Sequence, residues 1–141
     1  MLGLKATMSI IDNSGALVAQ CVNVLKTTTG HGMARIGDEI VVVVVKARPI
    51  PSTSSSSTSA AAINKVRRGD VRRAVVVRTK KESRRPNGTW IRFDDNAAVL
   101  LNNKAGYKSR ELLGTRVNGV VAAELRDMGW SRICSLAPKV A

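Results

Sequence analysis

Residues 74–101, AVVVRTKKESRRPNGTWIRFDDNAAVLL, restrict the fold of this chain more than any other stretch. Two apolar arms, 74–77 and 97–101, enclose a long polar segment. Val75, Val76 and Val77 are β-branched and stiff at χ1, so the first arm favours strand over helix. Between the arms lies Asn87-Gly88, and both residue types accept positive φ. The pair predicts a tight hairpin turn with both residues in that region. The expected object is a β-ribbon rooted in an apolar sheet. Its polar part carries Arg78, Lys80, Lys81, Arg84, Arg85 and Arg92, opposed by Glu82, Asp94 and Asp95. A charge run is commonly a solvated face, but charge this one-sided points to a partner.

The flanking sequence reads as further strands. Residues 7–11 alternate weakly and meet the turn cluster Asp12-Asn13-Ser14-Gly15, after which 16–25 resume as a strand, giving a first hairpin. Residues 27–32 are a glycine-containing loop holding His31, a solvated imidazole or an RNA phosphate contact. After Gly37-Asp38, Ile40 to Val45 are six consecutive β-branched residues, which predicts a strand buried on both faces. Pro49 and Pro51 end it. Residues 52–62, STSSSSTSAAA, are too polar and simple to pack a core and read as a loop insertion. Residues 102–106 are a loop, and 112–117 suggest a last short strand.

Beyond Asn118-Gly119 the period becomes helical. Val121, Leu125 and Met128 fall on one face, with Glu124, Arg126 and Asp127 pointing away. Ser131 is placed to cap a final helix whose Ile133, Leu136 and Ala137 share a face, and Pro138 ends it. Five or six short strands, a ribbon and a helical tail within 141 residues predict one mainly β domain, residues 1–141, closed as a small barrel.

Charge then bears on function. The chain carries 23 Lys and Arg against 10 acids, a formal net charge of +13. Eleven of those cations, Lys65, Arg67, Arg68, Arg72, Arg73, Arg78, Lys80, Lys81, Arg84, Arg85 and Arg92, lie between 65 and 92 with two acids, Asp70 and Glu82, a local +9. Self-repulsion on this scale calls for a polyanion, with nucleic acid ahead of an anionic membrane surface. Aromatic residues are 3% of the chain, too few for the stacking platforms of single-strand binders. The expected partner is folded RNA read through its phosphates. The rival reading is a free-standing basic barrel that binds nucleic acid. A membrane partner is not expected, because no amphipathic basic helix and no ~20-residue apolar span is present.

Catalytic chemistry has no foothold. There is no phosphate-binding glycine pattern, and Asp94-Asp95 do not converge as an acid–base pair. Two cysteines and one histidine lack metal-ligand spacing, so neither a metal nor a cofactor is expected. Cys21 and Cys134 read as buried free thiols, which suits a reducing compartment. The N-terminal sequence has neither a signal-peptide apolar core nor the Arg-rich character of a transit peptide.

The central stretch resembles the signature of the universal fourteenth protein of the large ribosomal subunit. That signature is met by Ala74, Val75 to Val77, Asn87-Gly88, Phe93, Asn96, Val99 and Leu100. The likeness to the bacterial and organellar branch extends through Asp12-Asn13-Ser14-Gly15-Ala16, Gly69-Asp70-Val71, Arg84-Arg85-Pro86, Gly114-Thr115-Arg116 and Ser135-Leu136-Ala137-Pro138. The resemblance implies a five-stranded barrel with a projecting basic ribbon and a short C-terminal helical region. It implies direct binding to large-subunit rRNA, contact with neighbouring large-subunit proteins, and an intersubunit bridge to small-subunit rRNA; the eleven cations named above, Lys80, Lys81, Arg84 and Arg85 foremost, are the expected phosphate contacts. It also implies a docking surface for a ribosome-silencing factor at Thr115, Arg116, Arg132 and Ser135. Two departures stand out: the insertion at 52–62, and His31-Gly32-Met33-Ala34 in a loop that is more basic in relatives. Low-complexity insertions suit a eukaryotic gene, so the expected location is the mitochondrial matrix, in the mitochondrial ribosome, rather than a bacterial cytoplasm.

Overall fold

The computed structural model describes residues 1–25, 32–49, 66–102 and 111–141. In chain order the elements are β1 (Thr7–Ile10), β2 (Ala16–Val24), β3 (Glu39–Ala47), β4 (Val71–Arg78), β5 (Ser83–Arg84), β6 (Trp90–Ile91), β7 (Ala97–Leu101), β8 (Val120–Val121), α1 (Glu124–Asp127), α2 (Ser131–Leu136) and β9 (Lys139–Val140). Five of the strands close a barrel in the order β1-β2-β3-β4-β7, and β1 shuts it by pairing parallel to β7. Closure leaves these five strands without a free barrel edge, the hazard an open sheet of such apolar strands would carry. His31, Lys65, the insertion at 52–62 and most of the expected loops at 27–32 and 102–106 lie outside the described residues.

Two cores share one wall. Met8, Ile10, Ala19, Cys21, Ile40, Val42, Val44, Ala74, Val76, Ala98 and Leu100 fill the barrel. Val75, Val77, Ala97, Val99 and Leu101 face the other way and pack against Val117, Val121, Leu125, Trp130, Ile133 and Cys134. Residues 74–77 of β4 and all of β7 are therefore apolar without alternation because each buries both faces, and their side chains divide by parity between the cores. Full burial of a Val or Leu stabilises by roughly 1.5–3 kcal/mol, so this shared wall dominates the packing. β3 differs from its sequence reading. Ile40, Val42 and Val44 are buried inside, but Val41, Val43 and Val45 are half-exposed outside, since nothing among the described residues packs fully over them. Both cysteines are buried free thiols, and burial pushes both upward.

The C-terminal region departs from expectation in several places. Residues 112–117 form isolated bridges, Leu112 to Leu101 and Val117 to Asp12, rather than a strand. Val121 lies in β8, which pairs parallel with β9, a two-stranded sheet that sequence spacing did not announce. α1 is a single turn in which Leu125 is fully buried. Met128 is 46% exposed and is not core, although its sulfur lies over Gly37. Ser131 begins α2 rather than capping it; Trp130 holds the cap position, with no side-chain cap bond. Trp130 instead donates its indole N–H to the Gly37 carbonyl, 3.0 Å away, tying α2 to the turn before β3.

The β1–β2 turn is a polar corner. Asp12 is buried, and its carboxylate accepts from the Ser14 N–H (2.9 Å) and the Leu100 N–H (2.7 Å). Burial pushes the carboxyl above its usual value, and those donors oppose the shift. Next to it, Asn13 Oδ1 accepts from the Thr115 and Arg116 amides, and its Nδ2 donates to Thr115 Oγ1. Gly114 must lack a side chain here: a Cβ would lie 2.7 Å from Asn13 Oδ1 and 2.9 Å from Asp12 Cβ. Asp12→Asn keeps the shape but turns one acceptor into a donor facing an amide N–H. The expected loss is about 1–3 kcal/mol, read as a lower denaturant midpoint at unchanged slope in the full chain.

Candidate nucleic-acid interface

The ribbon grows out of the shared wall. β4 continues through Thr79 to Lys81 into β5, and β6 returns through Phe93 into β7. Its root is tightly held. The Lys80 N–H donates to Asn96 Oδ1 (2.9 Å), the buried Thr79 hydroxyl donates to the Lys81 carbonyl (2.9 Å), and the Phe93 N–H donates to the Thr79 carbonyl (3.1 Å). The Arg78 side chain is 14% exposed, and its guanidinium lies 2.9 Å from Asp95 and 3.2 Å from the Val120 carbonyl.

The tip turn differs from the expected two-residue form. Gly88 has φ +82°, but Asn87 does not share it; Lys5 is the one non-glycine residue at positive φ among those described. The Gly88 N–H donates to the Arg85 carbonyl (3.0 Å), and the Arg85 N–H donates to the Thr89 carbonyl (2.8 Å). Pro86 pre-sets φ at the second position of what is then a type I turn, and Gly88 supplies the left-handed residue that follows. Asn87 contributes its side chain instead, with Oδ1 accepting from the Thr89 N–H and hydroxyl.

Period-two alternation gives the ribbon two faces. Arg84 pairs with Trp90 across the strands, and Ser83 with Ile91. Ser83, Arg85 and Ile91 are half-buried and lie toward the body of the protein. Arg84, Trp90 and Arg92 are exposed on the outer face. Arg85 is engaged internally. Its Nε and Nη2 bind the two Glu124 carboxylate oxygens, and Nη2 also donates to the Ala141 carbonyl at 2.8 Å. Partial burial is the largest single influence on Glu124 and disfavours its ionised form, but the Arg85 hydrogen bond, a backbone hydrogen bond and the Arg85 charge together outweigh it and hold the carboxyl below its usual value; Glu124 raises the Arg85 guanidinium in turn.

The remaining cations divide by place. Lys80 and Lys81 are exposed at the ribbon root, where Lys81 contacts Glu82 and, with Arg92 as a smaller influence, holds that carboxyl low. Arg67 and Arg68 are exposed in the turn before β4, which Asp70 closes by accepting the Arg67 N–H (3.1 Å). Arg72 lies 3.7 Å from Asp70, and Arg73 is half-buried on β4. Seven residue steps separate Val71 from Arg78, so the turn and the ribbon sit at opposite ends of β4, roughly 23 Å apart. The cations that cluster in sequence thus form two patches. Thr115, Arg116, Arg132 and Ser135 are all exposed, the first two pinned by Asn13 and the last two on α2. Among the described residues no group of three His, Cys, Asp or Glu side chains gathers to hold a metal.

Sequence reasoning did not find Glu124, Asp95 or Asn96 as the groups that fix the ribbon. Their partners lie 39, 17 and 16 residues away, and no periodicity links them. The outer-face grouping of Arg84, Trp90 and Arg92 was available from alternation once a ribbon was assumed.

A closed barrel that projects a cationic, conformationally fixed ribbon is a scaffold of the RNA-binding class. The chain belongs to the ribosomal protein L14p/L23e family, which it matches over residues 1–141. It is 49% identical over 139 residues to the large ribosomal subunit protein uL14m of Schizosaccharomyces pombe, covering 99% of this chain and 98% of the relative. It is 49% identical over 138 residues to the protein of the same name from Neurospora crassa, covering 98% of each. It is a structural constituent of the large ribosomal subunit and not an enzyme, and its partners are rRNA and other ribosomal proteins.

The Arg85–Glu124 link gives a prediction with a definite sign. A carboxyl held low in the fold contributes stability that is present above its unfolded pKa and is lost as pH falls through the depressed value. Glu124→Gln lowers stability at pH 7 by about 1 kcal/mol. It also flattens the loss of stability below pH 4.5, measured by denaturant midpoints from pH 7 to pH 3.

Proposed function

We propose that this chain is a single ribosomal-protein domain that anchors in the mitochondrial large subunit by laying its two cationic patches on rRNA phosphates. The observation that carries the reading is the division of labour on the ribbon. Arg78 and Arg85 hold it to the body, while Lys80, Lys81, Arg84 and Arg92 remain exposed. Arg67 and Arg68, with Arg72 and Arg73, supply the second patch. Arg can fork across two phosphate oxygens where Lys acts as a point charge, so Arg84 and Arg92 set geometry and the lysines add attraction. The mitochondrial location rests on the two uL14m relatives. By its family resemblance the domain lies on the face that meets the small subunit and joins an intersubunit bridge to its rRNA. A ribosome-silencing factor docks at Thr115, Arg116, Arg132 and Ser135. Their shared exposure and the rigid Asn13 clamp under Thr115 and Arg116 support that surface.

Replacing Lys80, Lys81, Arg84 and Arg92 with Ala shallows the slope of log affinity against log salt by about 0.7–0.9 per lost phosphate contact. Arg85→Ala, by contrast, lowers stability more than it changes the slope. Binding of the purified full chain to large-subunit rRNA across a salt series measures both, and an unchanged slope in the quadruple variant removes the ribbon from the interface.

A further inference from the structure

Trp90 does not behave as a structural tryptophan. It is 65% exposed and belongs to neither core cluster, whereas Trp130 is 5% exposed and hydrogen-bonded. A ring this open on a two-residue strand leaves a large apolar area in water, and the ribbon's own packing uses the opposite face, through Ile91 and Arg85. Two exposed cations neighbour the ring on the same face. Arg84 is its direct cross-strand partner, with Cβ atoms of such pairs about 4.5–5.5 Å apart, and Arg92 follows two residues along the same face. Glu82 shares that face by parity, and its carboxylate is engaged by Lys81. The platform is also held still, because the turn is locked by Asn87 and the inner face is tied to Glu124 and Ala141.

An apolar face flanked by two guanidinium groups matches the chemistry of a nucleotide: a base to cover the ring and phosphates on either side. A protein partner would have to bring acidic groups to both sides of the ring, whereas every nucleotide carries that charge already. We propose that Trp90 is a stacking platform for one unpaired RNA base, with Arg84 and Arg92 taking the adjoining phosphates. This rests on the RNA-binding reading above and adds a base-dependent term to it. The scarcity of aromatic residues is consistent with a single bulged base in folded RNA.

The test uses the full chain and two RNA hairpins of identical sequence, one with a single bulged adenosine and one with an abasic residue at that position. The wild-type chain is expected to bind the bulged adenosine about 5- to 100-fold more tightly. Only that RNA should quench the solvent-exposed tryptophan emission. Trp90→Leu should equalise the two affinities while keeping the salt slope, and Trp90→Phe should retain part of the preference. An unchanged thermal midpoint checks that the variants fold. Equal wild-type affinities with an intact salt slope overturn the stacking proposal alone and leave a phosphate-only ribbon. Loss of salt-dependent affinity for both RNAs overturns the RNA-binding reading together with it.

Discussion

Everything in this structure leans on the double burial of β4 and β7. Val76, Ala98 and Leu100 complete the barrel interior, and from the same strands Val75, Val77 and Val99 make the floor on which the C-terminal segment packs. Removing either core would leave the other with an exposed wall of Val and Leu. The ribbon is the continuation of these two strands, so the best-packed element of the protein is also the mount of its most exposed one. A register shift between Val76 and Arg78 marks the place where barrel curvature ends and the ribbon departs.

Hydrophobic packing alone would not fix how these parts are oriented, because it is non-directional. A few long-range polar contacts do that. Asp12 binds the Leu100 amide 88 residues away, Asn13 holds the 114–116 segment, Trp130 reaches Gly37, and Arg85 reaches Glu124. Each joins elements that are distant in sequence, and each is directional. The buried Asp12 carboxylate is tolerated because two amide donors face it.

The fold also sorts the positive charge. Basic residues contiguous in sequence separate into a ribbon patch and a turn patch at the two ends of β4. Within the ribbon, alternation assigns neighbours to opposite tasks: Arg84 faces outward beside Trp90, while Arg85 turns inward to Glu124. Under the proposed function, the footing on a polyanion is divided between the two ends of one strand rather than spread as one diffuse field. The inward contacts of Arg85 with Glu124 and Ala141 also hold the projecting element against the body.

The sequence by itself determined a great deal. The strand arms at 74–77 and 97–101, the hairpin at Asn87-Gly88, the first hairpin across residues 12–15, the helical tail and the one-signed charge were all legible. Each of these rests on local physics: χ1 stiffness, turn chemistry, helical period and composition. Tertiary structure decided what depends on the far side of a strand. It buried both faces of 74–77 and of β7 but left Val41, Val43 and Val45 of the equally valine-rich β3 half-exposed, because only the former wall receives the C-terminal segment. It drew Val121 out of the helical pattern into β8, since β9 arrives beside it. It kept Asn87 at negative φ, because Pro86 sets the preceding turn position. It turned the half-buried Arg85 inward by supplying Glu124, a partner that no spacing rule could have named.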